Sequence, residues 1–508
     1  MAQKTQEVGF VTSVNNFLIH LNGLPSVRIN DLIESDNGIR AWVNALLPDS
    51  VEALVLDEGK SQPGQLFRST GQKITTPSGQ FLLGRAINPL GVPIDGKILP
   101  KESSKTSADF DRSAPGIKFR QTINEQLQTG IILVDSLIPI GKGQRELVIG
   151  DPRSGKIDFL IDVIINQKNT GVICIYASIG KPIAEVRSLI DTLRTNQALP
   201  YTIIVAASSS DPAPLIFLTP QTAFALAEYF QTQGKDILVI LDDLGIHAKI
   251  YREIALLGDR APGRESYPGD IFYQHAHLLE RAGNFNPMAG GGSITALPVI
   301  DTNLNDFTGF IPTNIMAMTD GHLLFRSALF NQGQRPAIDL SLSVSRVGQQ
   351  TQNRVQNSLA TRVKQILAEA AQLETVSSFS FELPYATRLT LNQRDAIEEM
   401  IKQPPLTRLP RELQIILLAL PLTNLFQDKD KSFARLNHGR IIELLSTEPE
   451  LINLVREATQ LSSEDQLLSV LQQYTPYIAS LLQPTATTRA NSSHMKMSNT
   501  SATIQKVT

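Results

Sequence analysis

Short-period alternation opens the chain. Phe17, Ile19 and Leu21 alternate with Leu18 and His20, and Val51, Ala53 and Val55 alternate with Glu52, Leu54 and Leu56. Asn22-Gly23 and Asn37-Gly38 are dipeptides that favour tight turns, so the stretch from about Gly9 to Leu83 predicts an all-β unit, best fitted by a small closed barrel. From Gly84 to about Gly348 the pattern changes. Apolar runs at Val172–Tyr176, Thr202–Ala206, Ile237–Leu241 and Ala296–Ile300 are separated by helical spacing such as Ala184–Leu193 and Ala223–Gln233. Buried strands interleaved with helices predict an α/β unit on a largely parallel sheet. Ala261-Pro262-Gly263-Arg264 and Ala289-Gly290-Gly291-Gly292-Ser293 are loops by composition.

Beyond Asn357 the period becomes helical. Leu359, Val363, Ile366, Ala370 and Leu373 share one face, and helices are predicted again over Arg394–Lys402, Glu412–Leu420 and Glu464–Leu482, which reads as a helical bundle. The residues from Pro484 to Thr508 are rich in Ser, Thr and Asn and predict a disordered tail. The expected organisation is therefore a multidomain chain: a barrel over 1–80, an α/β domain over 81–352, a helical domain over 353–483 and the tail over 484–508.

With 508 residues, 42% hydrophobic and 19% charged, the chain has enough material for several ordinary cores. A formal net charge of −3 gives no global attraction to nucleic acid or to anionic membranes. Cys174 is the sole cysteine, so neither an internal disulfide nor a thiolate zinc site is expected. The N-terminal residues lack an apolar signal region, and no run approaches the ~20 apolar residues of a membrane helix; Ile415–Leu420, the richest stretch, stops at Pro421.

The candidate chemistry centres on Gly150-Asp151-Pro152-Arg153-Ser154-Gly155-Lys156-Ile157. In the G-x-x-x-x-G-K-[ST] loop, backbone N–H groups and a helix N-terminus hold phosphates, the lysine neutralises them and the hydroxyl ligates magnesium. The apolar run Glu146–Ile149 precedes it as a strand, and Ile157, Leu160, Ile161 and Ile164 follow at helical spacing. Ile157 has no oxygen to offer a metal. Pro152 removes one N–H donor, and Asp158 sets a carboxylate in the helix's first turn, where it competes with phosphate. Poor affinity for magnesium–nucleotide is expected.

Asp242 ends the run Ile237–Leu241, the place where P-loop proteins carry the acidic residue that holds magnesium; the plainer alternative is that Asp242 and Asp243 cap the next turn. Hydrolysis also needs a group that positions water, yet Ser178-Ile179-Gly180-Lys181-Pro182 has no acid before Glu185. The sequence thus favours a site that binds nucleotide over one that turns it over. Arg346, in Ser343-Val344-Ser345-Arg346-Val347-Gly348, is either a surface or capping arginine or a finger delivered to phosphate on a neighbouring subunit. Among the histidines only His275 and His277 are grouped, and on a helix they point about 200° apart, so no metal is assigned to them.

Together these segments resemble the alpha subunit of the F-type ATP synthase from about Gly9 to Leu445. The resemblance is carried by Leu83-Gly84-Arg85, Ile94-Asp95-Gly96-Lys97, Gln128-Thr129-Gly130, Val134-Asp135-Ser136-Leu137-Ile138-Pro139-Ile140-Gly141, Gly143-Gln144-Arg145-Glu146-Leu147, Pro262-Gly263-Arg264-Glu265-Ser266-Tyr267-Pro268-Gly269-Asp270, Gly290-Gly291-Gly292-Ser293 and the segment around Arg346. It implies a barrel, a RecA-like nucleotide domain and a helical domain, with three alpha chains alternating with three beta subunits around a gamma central stalk, ATP or ADP and magnesium as ligands, and a peripheral stator. It also implies a place on the cytoplasmic face of a bacterial inner membrane, with membrane contact only through the embedded sector that carries protons or sodium.

Two places resemble alpha rather than beta: Gly180-Lys181-Pro182 stands where beta-type chains carry a Gly-Glu-Arg motif with the catalytic glutamate, and Ser343–Gly348 is the alpha version. The resemblance implies that Arg346 reaches the beta subunit's catalytic site. Departures are Gly150–Ile157 in place of Gly-Asp-Arg-Gln-Thr-Gly-Lys-Thr, and Gln403-Pro404-Pro405 in place of the Gln-Gly-Gln near the adenine. Eight residues precede Gly9 where the family has a long stator-binding segment. The expectation is a noncatalytic, regulatory alpha subunit whose own site is relaxed. The competing expectation is a catalytically silent scaffold paralogue, and an RNA-translocating hexameric helicase is disfavoured by the broken loop and by the lack of a basic, aromatic-studded face.

Overall fold

The computed structural model describes residues 7–101, 106–302, 306–377, 384–458 and 460–482. The tail expected over 484–508 lies outside the described residues. The chain divides into two compact units: Met1–Gln352 with Pro404–Arg408, and Asn353–Gln403 with Leu409–Thr508.

The first unit begins with six antiparallel strands, β1 (Val8–Asn15), β2 (Leu18–Gly23), β3 (Asp31–Ser35), β4 (Arg40–Leu46), β5 (Val51–Val55) and β6 (Leu66–Lys73), closed in the order β1-β2-β5-β4-β3-β6. Closure leaves no open edge. Ile19, Leu21, Ile33, Val43, Ala53, Val55 and Phe67 fill the interior. Leu18 and Leu54, expected on the polar face, are also buried, because the outer wall of β2, β4 and β5 packs Leu18, Trp42 and Leu54 into the core of the α/β sheet. A strand covered on both faces loses its polar alternation. Asn22-Gly23 is not the first hairpin's turn: Asn22 pairs with Phe10 and Gly23 with Gly9, and the reversal falls at Asn16, which takes the left-handed conformation at φ 58°. Asn37-Gly38 does turn the β3–β4 hairpin, with Gly38 at φ 77°.

The α/β sheet comprises β7 (Ala86–Ile87), β8 (Glu146–Gly150), β9 (Ile173–Lys181), β10 (Thr202–Ser208), β11 (Ile237–Asp242), β12 (Gly283–Asn284), β13 (Ser293–Asp301), β14 (Gly321–Phe325) and β15 (Val344–Ser345). Its order is β15-β14-β8-β13-β11-β9-β10-β7, parallel except for β15 on β14 and β12 on β13. The helices α1 (Lys156–Asn166), α2 (Ile183–Thr195), α3 (Ala213–Gln231), α4 (Leu244–Leu257) and α5 (Ile271–Leu279) accompany it. Helix α3 starts well before the expected Ala223 and runs through Pro220, sustained by a surface buried almost all round. Tertiary burial there outweighs the cost of an internal proline.

The second unit is helical, with helices at Arg354–Ser377, Tyr385–Met400, Arg411–Ala419, Lys431–Thr447, Pro449–Ala458 and Glu464–Leu482. Leu359, Val363 and Ala370 are buried as expected, whereas Ile366 and Leu373 are half-buried. The second helix starts at Tyr385 rather than Arg394, and the helices at Lys431–Thr447 and Pro449–Ala458 add to the pattern read from sequence. No helix among the described residues is long and apolar enough to cross a membrane.

Candidate nucleotide site

Strand β8 lies between β13 and β14, and at its C-terminal end Gly150 pairs with Asp301 and Phe325. A Cβ on Gly150 would lie 2.1 Å from the Phe325 carbonyl oxygen, so only glycine lets the chain turn there. The loop then enters α1, whose N-cap Gly155 sits at φ 88°. Parallel strands delivering a loop to a helix N-terminus at their carboxyl ends form the usual seat of a phosphate.

Asp151 braces the loop rather than facing outward. Its carboxylate accepts from Thr302 Oγ1 at 3.1 Å and from Ser327 Oγ at 2.8 Å, tying the loop to the chain after β13 and after β14. Ser154 Oγ donates to the Asp151 carbonyl at 2.6 Å. Pro152, Arg153 and Ile157 are exposed.

Lys156, the lysine of the motif, is turned into its own loop. Its ammonium donates to the Gly150 and Asp151 carbonyls at 2.8 and 2.5 Å and pairs with Asp301 Oδ1 at 3.0 Å. The side chain is 5% exposed, and burial lowers its pKa although Asp301, Asp242 and Asp243 pull the other way. Three partners exhaust an ammonium's three donors, so a phosphate must displace them.

Asp242 is likewise engaged. Strands β9 and β11 are neighbours with Ser178 opposite Asp242, and from the end of β9 Lys181 turns back so that its Nζ lies 3.0 Å from Asp242 Oδ1 and 4.0 Å from Asp243 Oδ2. The Tyr176 hydroxyl donates to Asp242 Oδ2 at 2.7 Å. Burial disfavours the Lys181 charge, but the two carboxylates outweigh it and its pKa is raised. Asp243 N-caps α4, accepting from the Ile246 N–H at 2.6 Å, and burial pushes it up to about 6. The capping alternative read from sequence thus describes Asp243.

Magnesium does not fit this donor set. Ile157 supplies no oxygen, both oxygens of Asp242 already have protein partners, and no group of three His, Cys, Asp or Glu that could hold a metal occurs among the described residues. No step of chemistry is therefore assigned to a metal here.

Sequence reasoning passed over two neighbours of the loop. The ring of Phe330 lies so close to Gly155 that a Cβ there would come within 3.1 Å of it, and the Arg335 guanidinium stacks on the same ring at 3.4 Å from its centroid. Neither residue belongs to a periodic run or motif. Gln403 is buried and belongs to the helical unit, while the following Pro404–Arg408 belongs to the first unit. There the Leu406 N–H donates to Asp162 Oδ1 at 2.7 Å and Arg408 donates to the Ile165 carbonyl, fastening this segment along α1.

Arg346 leaves the sheet at edge strand β15. Its backbone N–H donates to the Asp320 carbonyl at 2.9 Å, and Asp320 in turn pairs with Arg145 at 2.7 Å. Next to it Ser345 Oγ donates to the Pro139 carbonyl at 2.8 Å and accepts from Gln144 at 3.0 Å and from the Gly348 N–H at 3.1 Å. The Arg346 side chain is exposed. Its backbone is fixed and its charge is presented to solvent.

His275 and His277 do diverge on α5. His275 faces His247 of α4, Nε2 to Nδ1 at 3.2 Å, both fully buried, and burial holds both neutral, lowering His247 to about 4. Cys174 is buried on β9, where burial raises its thiol.

A glycine-rich loop from a parallel strand into a helix, flanked by an acidic strand end, defines a P-loop nucleotide-binding protein. Residues 130–345 match the model of the ATP synthase alpha/beta family, nucleotide-binding domain. The ATP synthase subunit alpha of Lactobacillus helveticus (strain DPC 4571) is 38% identical over 476 residues, covering 93% of this chain and 94% of the relative. That of Latilactobacillus sakei subsp. sakei (strain 23K) is 40% identical over 473 residues, covering 92% of each. The chain belongs to the family of ATP synthase alpha subunits.

Proposed function

We propose that this chain is the noncatalytic, regulatory alpha subunit of a rotary ATP synthase. It alternates with beta subunits in a hexamer around a gamma stalk, beside a peripheral stator, and reaches the membrane only through the ion-carrying sector. The barrel over 1–80, the nucleotide domain over 81–352 and the helical domain over 353–483 are its working parts. Its own site takes ATP or ADP through Gly150–Ile157 and does no chemistry. The observation that carries this reading is the contrast between two cationic positions: Lys156 is bound to its own loop, whereas Arg346 is exposed on a backbone held by Asp320 and Ser345.

In this role Arg346 presents fixed positive charge to a phosphoryl group on the adjoining beta subunit, where such fingers contribute about 10³ to 10⁵ in rate. Co-expression with a beta-type partner, followed by an ATPase assay of the purified complex, tests it. Arg346→Ala should leave assembly intact and lower steady-state turnover at least about a hundredfold. Near-normal turnover in that variant would reject the finger and favour a silent scaffold.

A further inference from the structure

We propose that Lys181 stands in place of magnesium in this chain's own site, so that the P-loop holds a nucleoside triphosphate in its metal-free form. The inference rests on reading the loop as a noncatalytic nucleotide site, and it names that site's counter-cation.

The argument begins with the two oxygens a P-loop lends to magnesium, the hydroxyl after its lysine and the carboxylate at the neighbouring strand end. The first is absent, because Ile157 occupies that position. The second, Asp242, is taken: Lys181 Nζ sits 3.0 Å from one oxygen, and the Tyr176 hydroxyl holds the other at 2.7 Å. Lys181 is not a surface lysine that has wandered in, since its side chain is only 12% exposed and it emerges from a strand hydrogen-bonded directly to the one that carries Asp242.

A dication entering here would meet a buried ammonium at ion-pair distance from the strand-end carboxylate it needs. Taking Asp242 from Lys181 would leave that buried ammonium with only the more distant Asp243, at 4.0 Å, a costlier state than the close pair it replaces. Lys181 thus already neutralises the carboxylate that magnesium would have used, and the chain's remaining cationic groups face the triphosphate without a metal. Lys156, once drawn off its carbonyls, adds a second charge, and the N-terminus of α1 adds its dipole.

Binding of a fluorescent ATP analogue (mant-ATP) to the purified full-length chain, in excess magnesium and in EDTA, tests the proposal. The wild-type dissociation constants should agree within about twofold. Ile157→Thr/Lys181→Gln, which restores the hydroxyl and frees Asp242, should bind at least tenfold tighter with magnesium than without. Lys181→Arg, which keeps a cation on Asp242, should remain indifferent to the metal and serves as the control for folding.

A wild-type chain that binds tenfold tighter with magnesium, or that fails to bind in EDTA, overturns the proposal. So does a double variant with native circular dichroism that stays indifferent to the metal. The readout is binding by the chain alone, so a failure of Arg346 to act on a partner leaves it unmoved, and the two readings fail separately.

Discussion

Arg281 is the largest side chain that the first unit buries completely, and it is charged. Its Nε and Nη2 form a fork on Glu228 of α3 at 2.7 and 3.0 Å, Nη1 donates to the Phe110 carbonyl at 2.9 Å, and the guanidinium lies 5.5 Å from the centre of the Phe224 ring. Arg281→Met keeps most of the volume and removes all three donors. Left behind are a carboxylate that is only 7% exposed in the native pair and one carbonyl. An orphaned neutral acceptor costs about 1 to 3 kcal/mol, and breaking a buried pair from one side costs about 3 to 5 kcal/mol, so the second figure governs.

Trp42, the only tryptophan, supplies the assay, because it is buried in the same hydrophobic cluster as Phe224 and stacks on Phe217 at 6.0 Å. Its fluorescence during urea unfolding follows the first unit alone. With a slope near 3 kcal/mol/M, the midpoint should fall by about 1 M or somewhat more. Glu228→Leu/Arg281→Met should recover most of the loss, because an apolar pair leaves no charge stranded. A single-variant cost below about 1 kcal/mol, or a double variant no more stable than the single, would show that the pair is not desolvated as the structure has it.

Three further outcomes are expected. Gly150→Ala should destabilise the first unit by about 3 kcal/mol or more, since its Cβ would overlap the Phe325 carbonyl; a loss under about 1 kcal/mol in urea unfolding would mean that the strand end can shift. Burial raises Asp162 to about 7, with Asp158 adding to it and the Leu406 N–H opposing it. Its contribution to stability is therefore fully present below the ordinary carboxylate pKa and is lost as pH rises through 7. Asp162→Asn should melt above the wild type by a margin that grows from about pH 4 to 7 and then levels; a margin independent of pH would place the carboxylate in water. Arg346→Ala should change the stability of the chain alone by no more than about 0.5 kcal/mol, as its side chain is exposed, and a larger loss in urea unfolding would assign it a structural role instead.

What the sequence discloses follows the range of the forces involved. The runs at Val172–Tyr176 and Ile237–Leu241 announce strands because both faces of those strands are covered, and burial writes itself into consecutive residues. The loop at Gly150 is legible because two glycines are fixed by local backbone geometry. Leu18 is misread because the wall of the barrel that it faces becomes an interior only once β9 and its neighbours are in place. The same limit hides Lys181: its distance to Asp242 depends on two strands, separated by α2, β10 and α3 in the chain, lying side by side in one register. Lys181 shows in the sequence as a missing acid, but only the register makes it a present cation. Phe330 and Arg335 are silent for a related reason, since stacking of a guanidinium on a ring has no periodic signature.

The arrangement of charge bears on why the loop can depart so far from its motif. A site that stabilises charge developing on a phosphoryl group needs donors aimed in advance and free to act, because reorganisation at the moment of reaction consumes the gain. Lys156 fails that condition: it must first leave two carbonyls and a carboxylate at 3.0 Å or less. Arg346 differs, with its backbone held through Asp320, Pro139 and Gln144 and its side chain left to solvent. Substitution at Ile157 therefore falls in a loop whose own lysine is already engaged by that loop. A change at Ser345 would be of another order, because its hydroxyl joins Pro139, Gln144 and Gly348 beside the exposed Arg346.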